Sequence, residues 1–468
     1  MDTAQVEQAA LSEVVTGVSI DSRTVMPGDV FIALSGASRH GILFADEAIA
    51  RGAVCVITET TSSEFTTSGS DVIRFRSTET AETDGRIIRV RNAITALQQL
   101  AVWNRQQSSA LVIGVTGSVG KTTTRQMIAA VLQREFEGVQ SPRNFNNELG
   151  VPLSLLQLGP GHDFAVLEMG ASRIGEIARL AELAGPEFGV VTRVAAAHLD
   201  SFGSVGDVRR AKQELVEAIN GDGTVFLNAD DPEVRGMRSV ATAKTVLFGL
   251  SSESDIRATE IVSTNGRCHL VVNDTEFRFQ GPRHLVTSAL AAIAMGRITG
   301  LSDRRIAEGL AEFRADAGRG RVVLTEPWTV IDDSYNASPA SVSAAIESLR
   351  DWQSGRHRIL VLGDMLELGT DSEATHFEIG RQLASSAVDH TLVYGRFAEC
   401  VISGARSTGV STNHLSLFHD QETLQVMLDC ILAPGDVVLV KGSRSMQMER
   451  IVQWLQIQAM TGQSRTAA

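Results

Sequence analysis

The chain lacks the residue patterns that define several protein classes. Only four of its 468 residues are cysteines and only ten are prolines. Because the cysteines lie far apart and form no C-x-x-C pair, a disulfide scaffold and a zinc site are both disfavoured, and free thiols in a reducing compartment are expected. The ten prolines and 41 glycines are ordinary for a globular protein, which excludes a low-complexity or fibrous chain.

A basic amino terminus and long apolar runs are also missing. Met1–Val15 contains no lysine or arginine, whereas secretory signals begin with basic residues. No run approaches the ~18 apolar residues needed to cross a bilayer. The net charge of -13 disfavours nucleic acid and anionic membranes as general partners. We therefore expect a cytoplasmic protein without membrane insertion, in which a local group of cations is still compatible with an anionic substrate.

The order of apolar segments predicts three α/β domains in a row. At ~150 residues per domain the length corresponds to about three domains. Strand and helix patterns alternate, which favours largely parallel sheets covered by helices. We place the boundaries at 1–91, 92–317 and 318–468, with a polar, exposed and mobile insertion at Thr60–Gly85. The expected domains are a small α/β domain, a central parallel-sheet domain and a Rossmann-like α/β domain.

Specific elements can be assigned within these domains. The predicted strands are Val18–Ile20, Val30–Ala33, Val54–Thr58, Ile87–Val90, Ala110–Val115, Phe164–Glu168, Phe188–Thr192, Thr224–Asn228, Thr329–Ile331, Ile359–Leu362, Leu392–Tyr394 and Val437–Val440. The predicted helices are Phe44–Arg51, Thr122–Arg134, Glu176–Ala184, Val208–Ile219, Ser288–Ile298, Ala340–Leu349, Ser372–Leu383 and Met446–Leu455.

The segment LVIGVTGSVGKTTT, Leu111–Thr124, predicts a phosphate loop. A buried strand leads into a glycine-containing loop and then a helix, so that backbone N–H groups and the helix amino terminus face an anion. Lys121 is placed to reach the β- and γ-phosphates and the Thr122 hydroxyl to bind Mg²⁺. Because Val115 stands where the strict motif has glycine, the match is to the shorter pattern T-G-x-x-G-K-T. A strand-to-helix turn that carries lysine by chance is the alternative.

Three further polar residues follow successive predicted strands. Glu168 ends the strand FAVLE, His198 follows the next strand in VAAAHLD, and Lys212 lies on the helix after it. Ligands bind outside the carboxyl ends of strands in open α/β sheets, and a carboxylate supplies the hard oxygen that Mg²⁺ prefers. Taken singly, a loop-capping glutamate, a half-buried histidine and a solvated lysine are equally compatible. Together with the phosphate loop they indicate a cation site.

These segments resemble the central domain of the Mur ligase family, the ATP-dependent ligases of peptidoglycan precursor synthesis. The matching strings are TGSVGKTT, LEMG, AHLDSFGS, AKQE and NADD. The resemblance implies that ATP is bound by Gly117, Ser118, Val119, Gly120, Lys121, Thr122 and Thr123, and that Lys121, His198 and Lys212 serve catalysis. It also implies Mg²⁺ at Thr122, Glu168, His198 and Lys212, with Lys212 carbamylated by CO₂.

A carbamate forms only on a neutral amine, so Lys212 must have a lowered pKa. Desolvation or neighbouring cations have this effect, and Arg209 and Arg210 are the nearest cations in the sequence.

The ends of the chain resemble the family members that add D-alanyl-D-alanine. The strings are IDSRTVMPGDVFIALSG, DDSYNASP, LGDMLELG and KGSRSMQME. The implied substrates are UDP-N-acetylmuramoyl-tripeptide and D-alanyl-D-alanine, and a monomer is expected. The first domain is then UDP-binding, through Ser22, Arg23, Ser35 and Gly36, and Asn146 and Asn147 contact the tripeptide. Further implied contacts are His284, Arg319 and Asp332 for the nucleotide, and Tyr335, Asn336, Asp364, Lys441 and Arg444 for the dipeptide.

Five positions depart from the family pattern. His40 and Ile42 replace a usual aspartate and histidine in the first domain, and Leu285 follows His284. Ser288 stands where asparagine is usual, and Ser338 replaces asparagine in Y-N-A-N-P while keeping a side chain that can cap a helix.

The implied reaction transfers the γ-phosphoryl group of ATP to the tripeptide carboxylate, and the dipeptide amine then displaces phosphate. Two alternatives stay open: another Mur-type or folylpolyglutamate-type ligase, and a phosphate-loop ATPase that is not a ligase. The sequence does not indicate whether the third residue of the acceptor peptide is diaminopimelate or lysine.

Overall fold

The structure is a computed structural model that describes residues 14–36, 39–59, 86–196, 199–324, 326–352 and 356–466. The predicted Thr60–Gly85 insertion and His198 lie outside the described residues. The chain divides into two compact units. The first comprises 1–112, 138–168 and 179–185, and the second comprises 113–137, 169–178 and 186–468.

Elements are numbered in chain order among the described residues. The strands are β1 Gly17–Ser19, β2 Asp29–Ala33, β3 Cys55–Glu59, β4 Ile87–Val90, β5 Leu111–Thr116, β6 Gly138–Gln140, β7 Phe164–Glu168, β8 Phe188–Val191, β9 Thr224–Asn228, β10 Lys244–Gly249, β11 Ile256–Arg257, β12 Glu260–Thr264, β13 Arg267–Val272, β14 Thr275–Gln280, β15 Arg321–Leu324, β16 Thr329–Asp333, β17 Arg358–Gly363, β18 His390–Tyr394, β19 Leu415–Phe418 and β20 Val437–Lys441.

The α-helices are α1 Ala45–Ala50, α2 Ala93–Gln106, α3 Lys121–Leu132, α4 Gly150–Leu155, α5 Glu176–Ala184, α6 Leu199–Phe202, α7 Val205–Ala218, α8 Pro232–Gly236, α9 Val286–Ile298, α10 Asp303–Glu312, α11 Pro339–Ser348, α12 Ser372–Gln382, α13 Ala398–Ser407, α14 Gln421–Ile431 and α15 Glu449–Thr466. None of these helices is both long and apolar enough to span a bilayer.

The first unit contains a four-stranded parallel sheet with strand order β1-β2-β3-β4. Side chains alternate between its faces along each strand, as strand geometry requires. On β2, Phe31 packs with Ala45 and Ala48 of α1, whereas Ile32 packs with Leu97 of α2. Because both faces are covered, β2 is buried throughout. Strands β6 and β7 of this unit also pair in parallel.

The second unit contains three sheets. Strands β5, β8, β9, β10 and β11 pair in that order and are parallel. Strands β12, β13 and β14 form an antiparallel sheet. The third sheet has the order β15-β16-β20-β17-β18-β19, in which only the β15–β16 pair is antiparallel. Two apolar clusters cover the two faces of this last sheet.

The predicted parallel α/β architecture is confirmed. Each predicted element occurs with bounds shifted by a few residues, except the last helix, which ends at Thr466 rather than at Leu455. Other elements were not predicted from the sequence: strands β6, β10, β11 and β19, the antiparallel sheet of β12–β14, the antiparallel edge strand β15, and helices α2, α4, α6, α8, α10, α13 and α14. The last helix begins at Glu449 rather than Met446 because Gln447 adopts a left-handed φ of 52°. Ser338 occupies the amino-cap position of α11, where its N–H donates to Ser341 Oγ at 2.9 Å and its own hydroxyl lies 3.1 Å from the same oxygen.

Three histidines meet at the amino ends of neighbouring parallel strands. His357 precedes β17, His390 begins β18 and His414 precedes β19. The ring centroids of His357 and His390 are 5.4 Å apart, and those of His390 and His414 are 5.3 Å apart. Burial lowers the pKa of His390, and the two neighbouring imidazoles lower it further, while Asp389 and Asp436 oppose them. Protonation of His390 is therefore unfavourable in the folded state.

We expect the free energy of unfolding to decrease when the pH is lowered from 7.5 to 5.5. The unfolded chain retains an ordinary histidine pKa of about 6.5, so the unfolded state binds the His390 proton more readily. The contribution of His390 to the free energy of unfolding is therefore fully present above the unfolded-state pKa. This contribution is lost as the pH falls through that pKa towards the lower pKa of the folded state. Urea unfolding at the two pH values measures the effect. His390→Gln should reduce this pH dependence and the exposed His419→Gln should not; equal slopes in both variants would contradict the assignment.

Candidate active site

The predicted phosphate loop has the backbone that its sequence requires. Strand β5 ends at Thr116, the loop is Gly117–Gly120, and α3 begins at Lys121. Gly117 and Gly120 have φ values of 142° and 90°, which glycine adopts readily and other residues rarely do. Gly120 is the residue that immediately precedes the helix. The loop therefore leads into the positive end of a helix dipole, which favours an anion.

The basic and hydroxyl residues of this loop lie at the start of α3. Lys121 Nζ donates to Gly117 O at 2.7 Å, so the side chain folds back over the loop. Thr122 and Thr123 are buried. Thr124 Oγ1 and Ser288 Oγ are 2.9 Å apart, so the serine that departs from the family pattern joins α9 to α3. The helix is fixed on the side that faces α9.

Lys212 is buried on α7, with only 3% of its surface exposed. Its Nζ lies 3.5 Å from Ala171 O and 5.5 Å from the centre of the Phe202 ring. Burial, and to a smaller degree the charge of Lys121, lower the pKa of Lys212 to about 7 against the opposite effect of Glu214 and Glu176. A large fraction of this amine is therefore neutral near neutral pH.

The cation that acts on Lys212 differs from the expectation. Arg209 pairs with Glu233 at 3.2 Å, and Arg210 lies 4.0 Å from Asp207. The cation that lowers the Lys212 pKa is Lys121, which is distant in sequence.

In the first unit, Glu168 and Asn146 are brought together. Glu168 is 1% exposed at the end of β7, and Asn146 Nδ2 donates to Glu168 Oε1 at 2.8 Å. The Glu168 N–H donates to Ser141 Oγ at 3.0 Å. Asn147 has a local contact instead, because its Oδ1 accepts from Gly150 N at 2.9 Å. The carboxylate of Glu168 is thus oriented by a neighbouring loop.

The residues expected to bind UDP also lie in the first unit. Ser22 Oγ donates to Glu47 Oε2 at 2.8 Å. Arg23 forms an exposed ion pair with Asp21 at 2.7 Å. Ser35 Oγ donates to Glu59 Oε2 at 3.3 Å, and the Gly36 N–H donates to Arg39 O at 3.0 Å. These residues lie on loops around β1–β3.

In the second unit, Arg319 and Arg444 both lie over the ring of Tyr335. Their guanidinium carbons are 3.8 Å and 5.4 Å from its centre, within the range of cation–π contacts. Asp332 Oδ2 accepts from the Gly318 N–H at 2.7 Å, which holds the turn that carries Arg319. The structure therefore brings Arg319 and Asp332, which were expected at the nucleotide, next to Tyr335 and Arg444, which were expected at the dipeptide.

Lys441 and Asp364 are buried and make internal contacts. Lys441 Nζ lies 2.6 Å from Asp333 Oδ2 and 3.0 Å from Asn336 O. The two oxygens of Asp364 accept from Arg396 N at 2.7 Å and Phe397 N at 3.1 Å, next to the start of α13. Both residues therefore stabilise the carboxyl edge of the third sheet, where the dipeptide site was predicted.

His284 is partly buried in the second unit. Burial lowers the pKa of His284, and Asp333 and Lys441 act on it in opposite directions. The imidazole therefore favours its neutral form, which can both donate and accept hydrogen bonds.

Magnesium chemistry is compatible with part of the donor set. The Glu168 carboxylate in the first unit and the Thr122 hydroxyl in the second unit each offer hard oxygen atoms, the kind of ligand that Mg²⁺ prefers. Within the described ranges, no three His, Cys, Asp or Glu side chains lie close enough together to form a metal site. Two of the residues expected to bind Mg²⁺ are a threonine and a lysine, and His198 lies outside those ranges.

One segment next to the phosphate loop was not predicted from the sequence. Thr192 follows β8, and its Oγ1 donates a hydrogen bond to Val119 O at 2.7 Å. Its position after a buried strand was the available signal, but no motif distinguishes it.

Gly117→Ala should weaken ADP binding about a hundredfold, as misplacement of a binding group by ~1 Å does. The new Cβ would lie 2.1 Å from Thr192 Oγ1, at a φ that alanine disfavours. Calorimetric titration with ADP measures the affinity, and circular dichroism checks the fold. Gly221→Ala is the matched control, because no heavy atom lies within 4 Å of its Cβ position. Unchanged ADP affinity of the folded Gly117→Ala protein would exclude this loop as the nucleotide site.

Comparison with known proteins places these features in one family. Three family models match: the Mur ligase family, catalytic domain, at 14–103; the Mur ligase middle domain at 115–296; and the Mur ligase, glutamate ligase domain, at 318–444. The UDP-N-acetylmuramoyl-tripeptide--D-alanyl-D-alanine ligase of Escherichia coli is 34% identical, over 94% of this chain and 93% of the relative.

Solved structures agree with the sequence comparison. MurF from Acinetobacter baumannii superposes with a TM-score of 0.81 at 28% identity, covering 97% of this chain and 98% of the other. MurF ligase from Thermotoga maritima in complex with ADP superposes with a TM-score of 0.79 at 28% identity, covering 96% and 99%. The phosphate loop and the Lys212 environment lie within the matched middle domain, and the chain belongs to the Mur ligase family.

Proposed function

We propose that this chain catalyses the ATP-dependent joining of D-alanyl-D-alanine to UDP-N-acetylmuramoyl-tripeptide. The products are UDP-N-acetylmuramoyl-pentapeptide, ADP and phosphate. The observation that carries the proposal is a phosphate loop and a buried low-pKa lysine within a chain that matches this ligase over 94% of its length. We further propose that the domains 1–91, 92–317 and 318–468 bind the UDP-sugar, ATP and the dipeptide, respectively.

ATP is assigned to the phosphate loop and the first residues of α3, Gly117–Thr123. The backbone N–H groups and the helix dipole attract the phosphates, and Lys121 Nζ exchanges the Gly117 carbonyl for a phosphate oxygen. His284, Arg319 and Asp332 are assigned to the rest of the nucleotide. Arg319 lies on a turn held by Asp332, and its guanidinium carbon lies 3.8 Å from the centre of the Tyr335 ring.

Mg²⁺ is assigned to Thr122, Glu168, His198 and the carbamate of Lys212. When bound, Mg²⁺ neutralises charge on the transferring phosphoryl group and on the carboxylate that approaches it. Carbamylation joins CO₂ carbon to Lys212 Nζ and releases one proton to solvent. The neutral amine that this step needs is supplied by burial and by the charge of Lys121.

The peptide substrates are assigned to both units. Ser22, Arg23, Ser35 and Gly36 bind UDP, and Asn146 and Asn147 bind the tripeptide part. Tyr335, Asn336, Asp364, Lys441 and Arg444 shape the dipeptide site, where a cation suits its carboxylate. Lys441 is buried in its ion pair with Asp333, whereas the Arg444 side chain is exposed and its ion pair with Glu449 lies at the surface. Arg444 is therefore the cation that we assign to the carboxylate.

The reaction proceeds in two balanced steps. The tripeptide carboxylate oxygen attacks the γ-phosphorus of ATP, and the bond between that phosphorus and the β-phosphate oxygen breaks. ADP departs, and the tripeptide now carries an acyl phosphate. The dipeptide amine then attacks the acyl carbon, loses a proton, and expels phosphate. Lys121 stabilises the charge of the transferring group, and the loops that hold the substrates supply the orientation that makes both displacements fast.

Release of phosphate should require ATP, UDP-N-acetylmuramoyl-tripeptide and D-alanyl-D-alanine together, and pentapeptide should appear by mass. An ATPase that is not a ligase would release phosphate without UDP-N-acetylmuramoyl-tripeptide or D-alanyl-D-alanine. Phosphate release and product mass are measured with each component left out in turn. ATP hydrolysis at full rate without either peptide substrate would contradict the proposal, and glutamate used in place of the dipeptide would indicate a folylpolyglutamate-type ligase.

Activity should depend on CO₂ through Lys212. Below pH 7 the amine is increasingly protonated, because its pKa is about 7, so CO₂ depletion should reduce the rate most at low pH, and bicarbonate should restore it. Lys212→Arg should lower kcat at least about a hundredfold, the loss typical when support for a metal site is removed, without recovery in bicarbonate.

The matched control is Lys244→Arg, which changes an exposed lysine on β10 and should keep wild-type activity. Carbon-13 NMR of protein treated with labelled CO₂ should show a carbamate resonance that Lys212→Arg lacks. A wild-type rate insensitive to CO₂ depletion, with no such resonance, would rule out the carbamate.

A further inference from the structure

The segment Thr192–Ala195, which follows β8, supports the phosphate loop from behind. The Ser118 N–H donates to Arg193 O at 2.6 Å. The Ser118 hydroxyl donates to Ala195 O at 3.0 Å and accepts from the Ala195 N–H at 3.1 Å. Both polar groups of one loop residue, its N–H and its hydroxyl, are therefore used by this supporting segment, so a shift of the segment also shifts the loop.

Thr192 makes a second connection to the loop. Its side chain is 5% exposed, and its Oγ1 lies 2.7 Å from Val119 O and 3.2 Å from Thr116 O. A hydroxyl has one proton, so the shorter contact to Val119 O takes it. The same oxygen lies 2.1 Å from the Cβ position of Gly117. The supporting segment thus contacts the loop at both of its ends.

Two buried side chains of the NADD motif hold the supporting segment in turn. Asn228 Nδ2 donates to Thr192 O at 2.8 Å, and Asp231 Oδ2 accepts from the Val194 N–H at 2.8 Å. Asn228 is 5% exposed and Asp231 is 7% exposed. Hydrogen bonds this well buried are costly to leave unmade. A continuous chain of contacts therefore runs from the motif to the phosphate loop.

A purely local function does not account for Asp231. Its Oδ1 accepts from Glu233 N at 2.9 Å and Val234 N at 3.2 Å, which caps the short helix α8. Capping uses that one oxygen. The other oxygen, Oδ2, accepts from the N–H of Val194 in a different segment. The two contacts of the carboxylate can therefore be altered independently.

We propose that Asn228 and Asp231 are positioning residues for the nucleotide, acting through Thr192–Ala195 on Ser118 and Val119 of the phosphate loop. This inference rests on the proposed function in one respect, that ATP binds at this loop. Preorganised backbone donors bind phosphate only when they converge on one point, and a binding group loses most of its effect when its supports are loose.

The substitutions separate capping from positioning. Asp231→Asn retains Oδ1 as the helix cap, since asparagine caps as well as aspartate, but it places an amide donor opposite the Val194 N–H. Asn228→Asp retains the Oδ1 that accepts from Asp230 N and loses the donor to Thr192 O. Thr192→Val removes the hydroxyl bond to Val119 O, and Thr192→Ser restores it.

Asp436→Asn is the matched control for stability. Asp436 is also fully buried, and its two oxygens accept from His357 N at 3.0 Å and Ala433 N at 2.8 Å. It lies at the amino edge of the third sheet, where β20 begins. This variant therefore loses a comparable buried contact at the end of the strands away from the proposed dipeptide site.

The measurements are ADP affinity by calorimetry, KM for ATP and kcat in the ligase assay, and the urea midpoint of each variant. We expect Asp231→Asn, Asn228→Asp and Thr192→Val to weaken ADP binding at least about tenfold and to raise KM for ATP, with Thr192→Ser near wild type. Asp436→Asn should lower the urea midpoint to a similar degree while leaving ADP affinity unchanged.

Wild-type ADP affinity in Asp231→Asn and Thr192→Val would overturn the inference, and so would an equal loss of affinity in Asp436→Asn. If Asp231→Asn does not fold, the Thr192→Val and Thr192→Ser pair decides the question. Failure of the wild-type protein itself to bind ADP would contradict the proposed function instead, so the two failures are distinguishable.

Discussion

Two lysines in one unit cannot both carry their full charge at low cost, and the chemistry proposed for this chain depends on that constraint. Burial is the largest cause of the lowered Lys212 pKa, and the charge of Lys121, the cation proposed to meet a polyphosphate, lowers that pKa further in the same direction. A buried charge with a like charge nearby is relieved by loss of a proton. The result is a neutral amine, which is the form that reacts with CO₂. The sequence contains only two other lysines, Lys244 and Lys441, so these two stand out among its cations.

The loops around these lysines are held by carboxylates at more than one point. Glu214 lies two residues after Lys212 on α7 and accepts from Gly175 N at 2.6 Å and Ala178 N at 2.9 Å. Glu176 accepts from Ser172 N at 2.7 Å. These bonds hold the segment that offers Ala171 O to Lys212, and the same two carboxylates oppose the loss of its proton. Positioning and electrostatic tuning thus come from the same side chains.

The polar residues of the last sheet show a different use of charge. Lys441, Asp333, Asp364 and Asp332 satisfy one another or nearby backbone groups at the carboxyl ends of β16, β17 and β20. Buried charges require such partners. Arg319 and Arg444 remain over the exposed side of this arrangement on Tyr335. The buried pairs therefore build the edge, and the two guanidinium groups are the cations that we propose for ligand binding.

Much of this architecture was available from local sequence. Apolar runs located β5, β7 and β9, because a strand buried on both faces must be apolar along its whole length. T-G-x-x-G-K-T identified the phosphate loop, because positive φ and close approach to phosphate require glycine at particular spacings. Family strings singled out Arg319 for the nucleotide and Tyr335 and Arg444 for the dipeptide, and only the structure shows that the three side chains are in contact. The alternating strands β12–β14 were missed because their exposed face is polar and resembles a loop.

Contacts between segments distant in the chain could only come from the folded structure. Nothing near Lys212 in sequence shows that Lys121 acts on it, since electrostatic energy depends on distance in space and on burial. In the same way, Asp231 is an ordinary helix cap by local pattern, and only the path of the chain after β8 directs its second oxygen to Val194. Local preferences therefore established which elements form, whereas packing decided which polar groups meet and how strongly each is charged.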